Sequence, residues 1–245
     1  MSPDHDPGHD PADDPGHDPA HDPAGDRSVI RDSLGVGVGV GLYGVTFGAL
    51  GPAAGLSVWQ TCALSLLAFT GASQFAFVGV VASGGSPLAG ALTSVLLGGR
   101  NVFYGISMAP HLQVRGWRRW AAAHLVIDES TAMGVTRPTS RQARLGFYWT
   151  GITIFLFWNL TTAIGAIAGE AIGDPEAIGL DGAVAAAFLG LLWPRLDSAL
   201  TRAVAVVGVV LALLLVPITA PGVPIILGGL SAVVLGLVWG GRARG

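Results

Sequence analysis

Thr70, Gly71, Ser73 and Gln74 stand together as Thr70-Gly71-Ala72-Ser73-Gln74 inside an otherwise apolar stretch. Two hydroxyls and an amide beside a glycine suit a locally unwound helix in a membrane, whose freed carbonyl and amide groups can bind a zwitterion. The same residue types also serve plain hydrogen bonding between helices, and both uses stay open. A second set is Gly98-Gly99-Arg100-Asn101-Val102-Phe103-Tyr104. Its glycine pair favours a break, and an arginine there can grip a carboxylate through two parallel hydrogen bonds. Asn101 adjoins it and Tyr104 follows one helical turn later. The other use of Arg100 is to stretch to a membrane boundary. In the third set, His124 and Asp128 are four apart, which places them on one face of a helix, with Glu129 adjacent. Embedded in a membrane, such a histidine–carboxylate pair is a proton relay; in an aqueous connector the three are solvated charges. Asn159, next to Trp158 in another apolar run, is a fourth candidate.

The elements that must carry these residues are membrane helices. Of the 245 residues 51% are hydrophobic and 12% charged, with a mean hydropathy of +0.59. Soluble domains carry about 25% charged residues. Residues 33–99, 145–169 and 203–241 contain no Asp, Glu, Lys or Arg. At roughly 20 apolar residues per crossing, these runs hold about six spans. The composition excludes a soluble enzyme, a nucleic-acid binder and a secreted disulfide scaffold, and the single Cys62 allows no intrachain disulfide. The fold class expected is all-α: a polytopic transmembrane helix bundle of about six to eight membrane elements, with room for broken or re-entrant ones.

Two regions divide the chain. Residues 1–26 carry repeated His-Asp-Pro units, eight acidic residues and no basic one, and proline at every fourth position blocks a helix. This tail is expected to be disordered; its histidines and carboxylates also make it a weak metal tether in the alternative. Residues 27–245 form the membrane domain. Arg27, Arg31, Arg137, Arg141 and Arg144 flank apolar runs, whereas residues 170–181 are acidic. The positive-inside rule then places both termini in the cytoplasm and 170–181 outside. One conflict follows. Three apolar segments (34–54, 57–82 and 87–110) precede Arg115, Arg118 and Arg119, and an odd number of crossings would leave that cluster outside. Either residues 120–135 cross as well, or one earlier segment is re-entrant. In the first segment, Gly37–Gly41, Gly44–Gly48 and Gly51–Gly55 are spaced for close helix contact, within the chain or with a partner subunit.

Several blocks resemble a known family. Residues 42–50 (Leu-Tyr-Gly-Val-Thr-Phe-Gly-Ala-Leu), 69–76 (Phe-Thr-Gly-Ala-Ser-Gln-Phe-Ala), Ser86-Pro87-Leu88 through Arg100, 104–110 (Tyr-Gly-Ile-Ser-Met-Ala-Pro) and Asp128-Glu129-Ser130 are similar to the AzlC-type branched-chain amino acid permeases. The resemblance covers about residues 30–240. It implies a multi-pass protein of the cytoplasmic membrane that exports leucine, isoleucine and valine together with a small AzlD-type membrane subunit. On this reading Phe69, Phe75 and Phe103 line an apolar pocket. Thr70, Gly71, Ser73, Gln74, Arg100, Asn101, Tyr104 and Asn159 are the candidate substrate-binding residues. His124, Asp128 and Glu129 are the candidate proton-coupling residues. No enzymatic activity, cofactor, resident metal or nucleic-acid partner is expected.

Two other functional classes compete with this reading. An intramembrane serine hydrolase would use Ser73 with His111 or His124 as base, but no glycine follows Ser73, and no His-Glu-x-x-His or phosphate-binding loop is present. A non-transporting assembly subunit would use its intramembrane polar residues only as glue between helices.

Overall fold

The computed structural model describes residues 22–172, 189–190, 192–193, 196–219 and 223–242. Among these residues every regular element is a helix, so the expected all-α membrane bundle is what the chain forms. The elements are α1 (Pro23–Leu42), α2 (Gly44–Ala53), α3 (Val58–Leu67), α4 (Gly71–Ala82), α5 (Pro87–Gly98), α6 (Arg100–Leu112), α7 (Trp117–His124), α8 (Asp128–Val135), α9 (Ser140–Ile172), α10 (Ala199–Leu215) and α11 (Val223–Arg242). The run Pro23–Ala53 and the helix Ser140–Ile172 are each long and apolar enough to cross a bilayer. Large apolar side chains such as Leu67, Val95 and Phe103 are exposed, while Ser33, Gln74 and Thr150 are fully buried. Apolar outside and polar inside is the arrangement a lipid solvent selects.

Local chemistry sets the helix ends. Asp22 caps α1, its carboxylate accepting from the Ala24 N–H at 3.1 Å, and Pro23 occupies the first helical position. The helix therefore begins within the segment expected to be disordered. Pro23 has no N–H to lose there, and Asp26 is buried against Arg141 at 2.8 Å. The rest of the tail lies outside the described residues. Ser57 and Gln60 form a capping box on α3, and Ser86 with Pro87 starts α5. Gly55, at φ +84°, turns the chain from α2 into α3.

The glycine pairs of α1 and α2 are used within the chain. A Cβ at Gly37 would meet Thr153, one at Gly41 Phe157, one at Gly44 Thr161 and one at Gly48 Thr162, all on α9. Gly165 and Gly169 of α9 return the contact to Val45 and Ala49. Backbones this close allow Thr161 to donate to the Gly41 carbonyl at 2.6 Å. Farther along, Ser65 donates to Thr162, which donates to the Gly44 carbonyl.

These contacts also orient the remaining helices. The first turn of α9 meets the start of α1 through Asp26–Arg141, and Arg137 in the loop before α9 reaches Asp32 of α1; this end is the arginine face. α3 starts at the opposite face, where Thr61 meets Gly51, and descends until Phe69 packs on Phe155 halfway along α9. α4 then turns back: Gln74 reaches the Ser65 carbonyl of α3, and Phe75 packs on Phe47. Residues 57–82 are thus a re-entrant hairpin rather than a span. α5 runs antiparallel to α4, with Ser94 donating to the Ser73 carbonyl, and α6 continues to the arginine face, where Arg144 of α9 donates to the His111 carbonyl. α7 climbs until His124 meets Phe155, and α8 returns, with Gly134 beside Met108 and the Ala143 carbonyl. Residues 117–135 are a second re-entrant hairpin, from the arginine face. The parity conflict is resolved by re-entry, not by a crossing of 120–135. Glu170 ends α9 at the opposite face; Asp174, Glu176 and Asp181 lie outside the described residues. α10 and α11 pack on each other, and α11 rests on α5.

Candidate functional site

The two hairpin tips meet halfway through the bundle. One tip is Ala68-Phe69-Thr70, the other Leu125-Val126-Ile127, and the Phe69 and His124 rings stand 5.9 Å apart. Each break is held by side chains that replace helical hydrogen bonds. The Gln74 amide donates to the carbonyls of Ala68 (2.9 Å) and Ser65 (3.3 Å) and accepts from the Trp158 indole (2.9 Å). Ser130 accepts from the Ile127 N–H and donates to the Leu125 carbonyl at 2.6 Å.

Between the tips lies a cavity of about 70 Å³. Thr70, Arg100, Asp128 and Glu129 form its polar side; Val40, Phe75, Ile154 and Trp158 form its apolar side. Arg100 and Asp128 pair at 3.0 Å, with side chains 27% and 20% exposed. The guanidinium Nε is buried and has no hydrogen-bond partner among the described residues, so a donor remains for an anion. α4 starts at Gly71 with no side-chain cap, and Thr70, Gly71 and Ala72 bring this N-terminal end to the cavity wall. An arginine, an uncapped helix N-terminus and two carboxylates opposite an apolar wall match a small zwitterion with an apolar side chain.

The sequence candidates divide around this cavity. Thr70, Gly71, Arg100, Asp128 and Glu129 line it. Ser73, Gln74, Asn101, Tyr104 and Asn159 do not. Gln74 is fully buried as a strut, so its amide is spent on protein groups rather than on a substrate. Ser73 lies behind the tip, its carbonyl bonded to Ser94. Asn159 donates back to the Phe155 carbonyl of its own helix at 2.7 Å. Tyr104 packs on the Met108–Phe147 cluster. Asn101 follows Arg100 on α6 but faces away from the cavity, its Oδ1 buried without a partner among the described residues.

The shared helical face of His124 and Asp128 does not exist. α7 ends at His124, Ile127 is extended (φ −130°, ψ 172°), and Asp128 opens a new helix. His124 is exposed against Phe69 and Phe155, and Asp128 turns to Arg100 instead. Phe103 points outward at 72% exposure, so it is no pocket residue. Tyr43, Val40 and Ile154 were missed. The signal for Tyr43 was its place between Gly41 and Gly44, where α1 breaks into α2. A larger concavity of about 1090 Å³ at the α6–α7 corner includes Arg115 and Arg118 and, among the described residues, no carboxylate to hold an ammonium group.

The family model described as AzlC protein matches residues 35–172, which hold both hairpins and the cavity. The chain belongs to the AzlC family. Relatives include the branched-chain amino acid transport protein AzlC of Bacillus subtilis, 24% identical over 148 residues, covering 60% of this chain and 58% of that protein. An uncharacterized membrane protein of Archaeoglobus fulgidus is 31% identical over 181 residues, 73% of this chain and 80% of its own length. Another from Haemophilus influenzae is 25% identical over 132 residues, 53% and 54% of the two chains. The chain spans little more than half the length of the Haemophilus and Bacillus relatives. No solved structure matches.

Proposed function

We propose that this AzlC-family chain is a membrane transporter that exports branched-chain amino acids across the cytoplasmic membrane. The observation that carries this reading is the Arg100–Asp128 pair at 3.0 Å beside an open helix N-terminus and an apolar wall. The substrate carboxylate takes Arg100 and the amides of α4, its ammonium group takes Asp128 and Glu129, and its side chain lies against Val40, Phe75, Ile154 and Trp158. In the empty protein Arg100 and Asp128 satisfy each other; the zwitterion inserts between them and replaces both partners. An aliphatic wall distinguishes one methylene by only about 1–3 kcal/mol, so valine, leucine and isoleucine share the site.

The arginine face is cytoplasmic by the positive-inside rule, and a small AzlD-type subunit completes the exporter. Gly35 and Gly39, which face open space on α1, are free for such a partner, whereas their neighbours Gly37 and Gly41 pack on α9. Export draws on the proton gradient through Asp128 and Glu129, with His124 outside the relay. The test is counterflow of labelled valine in vesicles containing the chain, with and without the small subunit. Trans-accelerated uptake that Arg100→Gln abolishes supports the reading. No counterflow of any branched-chain amino acid in either preparation overturns it and favours an assembly subunit, for which the fully bonded Gln74 would be interhelical glue.

A further inference from the structure

The two re-entrant hairpins are copies of one device. Each follows a broken span: α1–α2, interrupted at Tyr43, precedes α3–α4, and α5–α6, interrupted at Gly99, precedes α7–α8. Pro52 and Pro110, Gly55 and Gln113, Trp59 and Trp117, and Leu67 and Leu125 all stand at one constant spacing. The equivalence is conformational as well. Gly55 and Gln113 are both in the left-handed region, at φ +84° and +50°, where each span turns toward its hairpin. Pro52 and Pro110 both lie in the last turn of the preceding helix. Leu50 and Met108, at the same spacing, are both fully buried. Trp59 and Trp117, at the bases of the hairpins, are 83% and 75% exposed.

The two copies run in opposite senses. α3–α4 enters from the face opposite the arginines and α7–α8 from the arginine face, so their tips meet head to head at Phe69 and His124, against Phe155 of α9. This is an inverted-topology repeat, with its breaks at mid-depth around the cavity. Each copy covers the cavity from its own side. The cavity of about 70 Å³ is under half the ~150 Å³ that takes up benzene in an apolar core, so a branched amino acid enters only when a tip withdraws.

We infer that the two hairpins are the two gates of this cavity: withdrawal of α7–α8 opens it to the arginine face, and withdrawal of α3–α4 opens it to the other. Different bonds hold each gate shut. Asp128 ties α7–α8 to Arg100 of α6, and Gln74 ties α3–α4 to Trp158 of α9. Access alternates because a hairpin can move without its counterpart, while α1, α2 and α9 stay packed through their glycines. The inference rests on the cavity being the substrate site, but its test uses no substrate and so fails separately from the choice of cargo.

The test is labelling with a membrane-impermeant thiol reagent in right-side-out and inside-out vesicles, in a Cys62→Ser background. Trp59→Cys is expected to react from one face and Trp117→Cys from the other; reaction of both from the same face overturns the inverted arrangement, whatever happens to the pocket variants. Thr70→Cys, in the cavity, is expected to react from both faces. Asp128→Asn, which loosens α7–α8, shifts that labelling toward the arginine face, and Trp158→Phe, which loosens α3–α4, shifts it the other way. The Trp158→Phe shift is expected at about fivefold, the population change that loss of one neutral hydrogen bond produces, and the Asp128→Asn shift at about tenfold or more, because the bond lost there is charged. Labelling of Thr70→Cys from one face only, or shifts that are absent or in the same direction, overturns the gate assignment.

Discussion

Replacing Gln74 with leucine removes the strut between the α3–α4 tip and the scaffold, and the cost can be worked from its three bonds. The Ala68 carbonyl keeps a second donor, the Thr70 N–H at 2.6 Å, and the Ser65 carbonyl loses only a 3.3 Å contact. The Trp158 indole N–H loses its 2.9 Å acceptor in a side chain only 4% exposed. A buried donor left unsatisfied costs about 1–3 kcal/mol, and the lost bonds to the tip add to it. We expect Gln74→Leu to lower unfolding stability by about 2–3 kcal/mol, roughly a 30- to 150-fold change in the equilibrium constant. The assay is unfolding in mixed micelles followed by circular dichroism. Trp158→Phe deletes the orphaned donor, so Gln74→Leu should cost at least ~1 kcal/mol less in that background than alone. Strict additivity of the two substitutions would refute the strut and return Gln74 to the substrate.

Three further outcomes follow from the same geometry. Asp128→Asn should stop uphill valine export while exchange of internal for external substrate survives at raised substrate concentration, its affinity lowered because Asp128 also holds the ammonium group; one proton moving through 100 mV supplies about 2.3 kcal/mol, nearly a fiftyfold gradient. Uphill efflux persisting in both Asp128→Asn and Glu129→Gln would remove these residues from coupling. Gly48→Leu should prevent accumulation of folded protein, because its side chain would strike the α9 backbone at Thr162, whereas Gly39→Leu, facing open space, should unfold like the wild type in the same micelle assay. Deleting residues 2–26 should lower stability by about 1–2 kcal/mol more than deleting 2–21, since it also removes the Asp22 cap and the Asp26–Arg141 pair.

What the sequence made legible follows from where polar groups stand in an apolar chain. Arg100, Thr70 and Gly71 were found because their types are costly in lipid and sit beside glycines. Arg100 and Asp128, assigned separately to substrate binding and proton coupling, meet only in the fold, since sequence spacing carries no information on contacts between hairpins. Helical periodicity misplaced His124 against Asp128. A β-branched Ile127 and the Ser130 hydroxyl break the helix between them, and neither residue is unusual enough to announce it. Which of the three early segments re-enters was not legible for a related reason: the length and apolarity of 57–82 suit a span as well as a hairpin, and only the return contacts of Gln74 and Phe75 distinguish the two. The constant spacing of the two prolines and two tryptophans was in plain view. It gains meaning once Gly55 and Gln113 share a backbone conformation.

The most direct test of the central claim is competition against labelled valine for the purified protein in nanodiscs, using analogues that each lack one charged end. Arg100 and Asp128 each claim one end of the zwitterion, so isobutylamine, without the carboxylate, and isovalerate, without the ammonium group, should each compete at least 100-fold more weakly than valine, given about 1.5–3 kcal/mol for each charged hydrogen bond lost. Arg100→Gln should then narrow the gap between valine and the amine, and Asp128→Asn the gap between valine and the acid. Either analogue displacing labelled valine as well as valine itself would contradict the account.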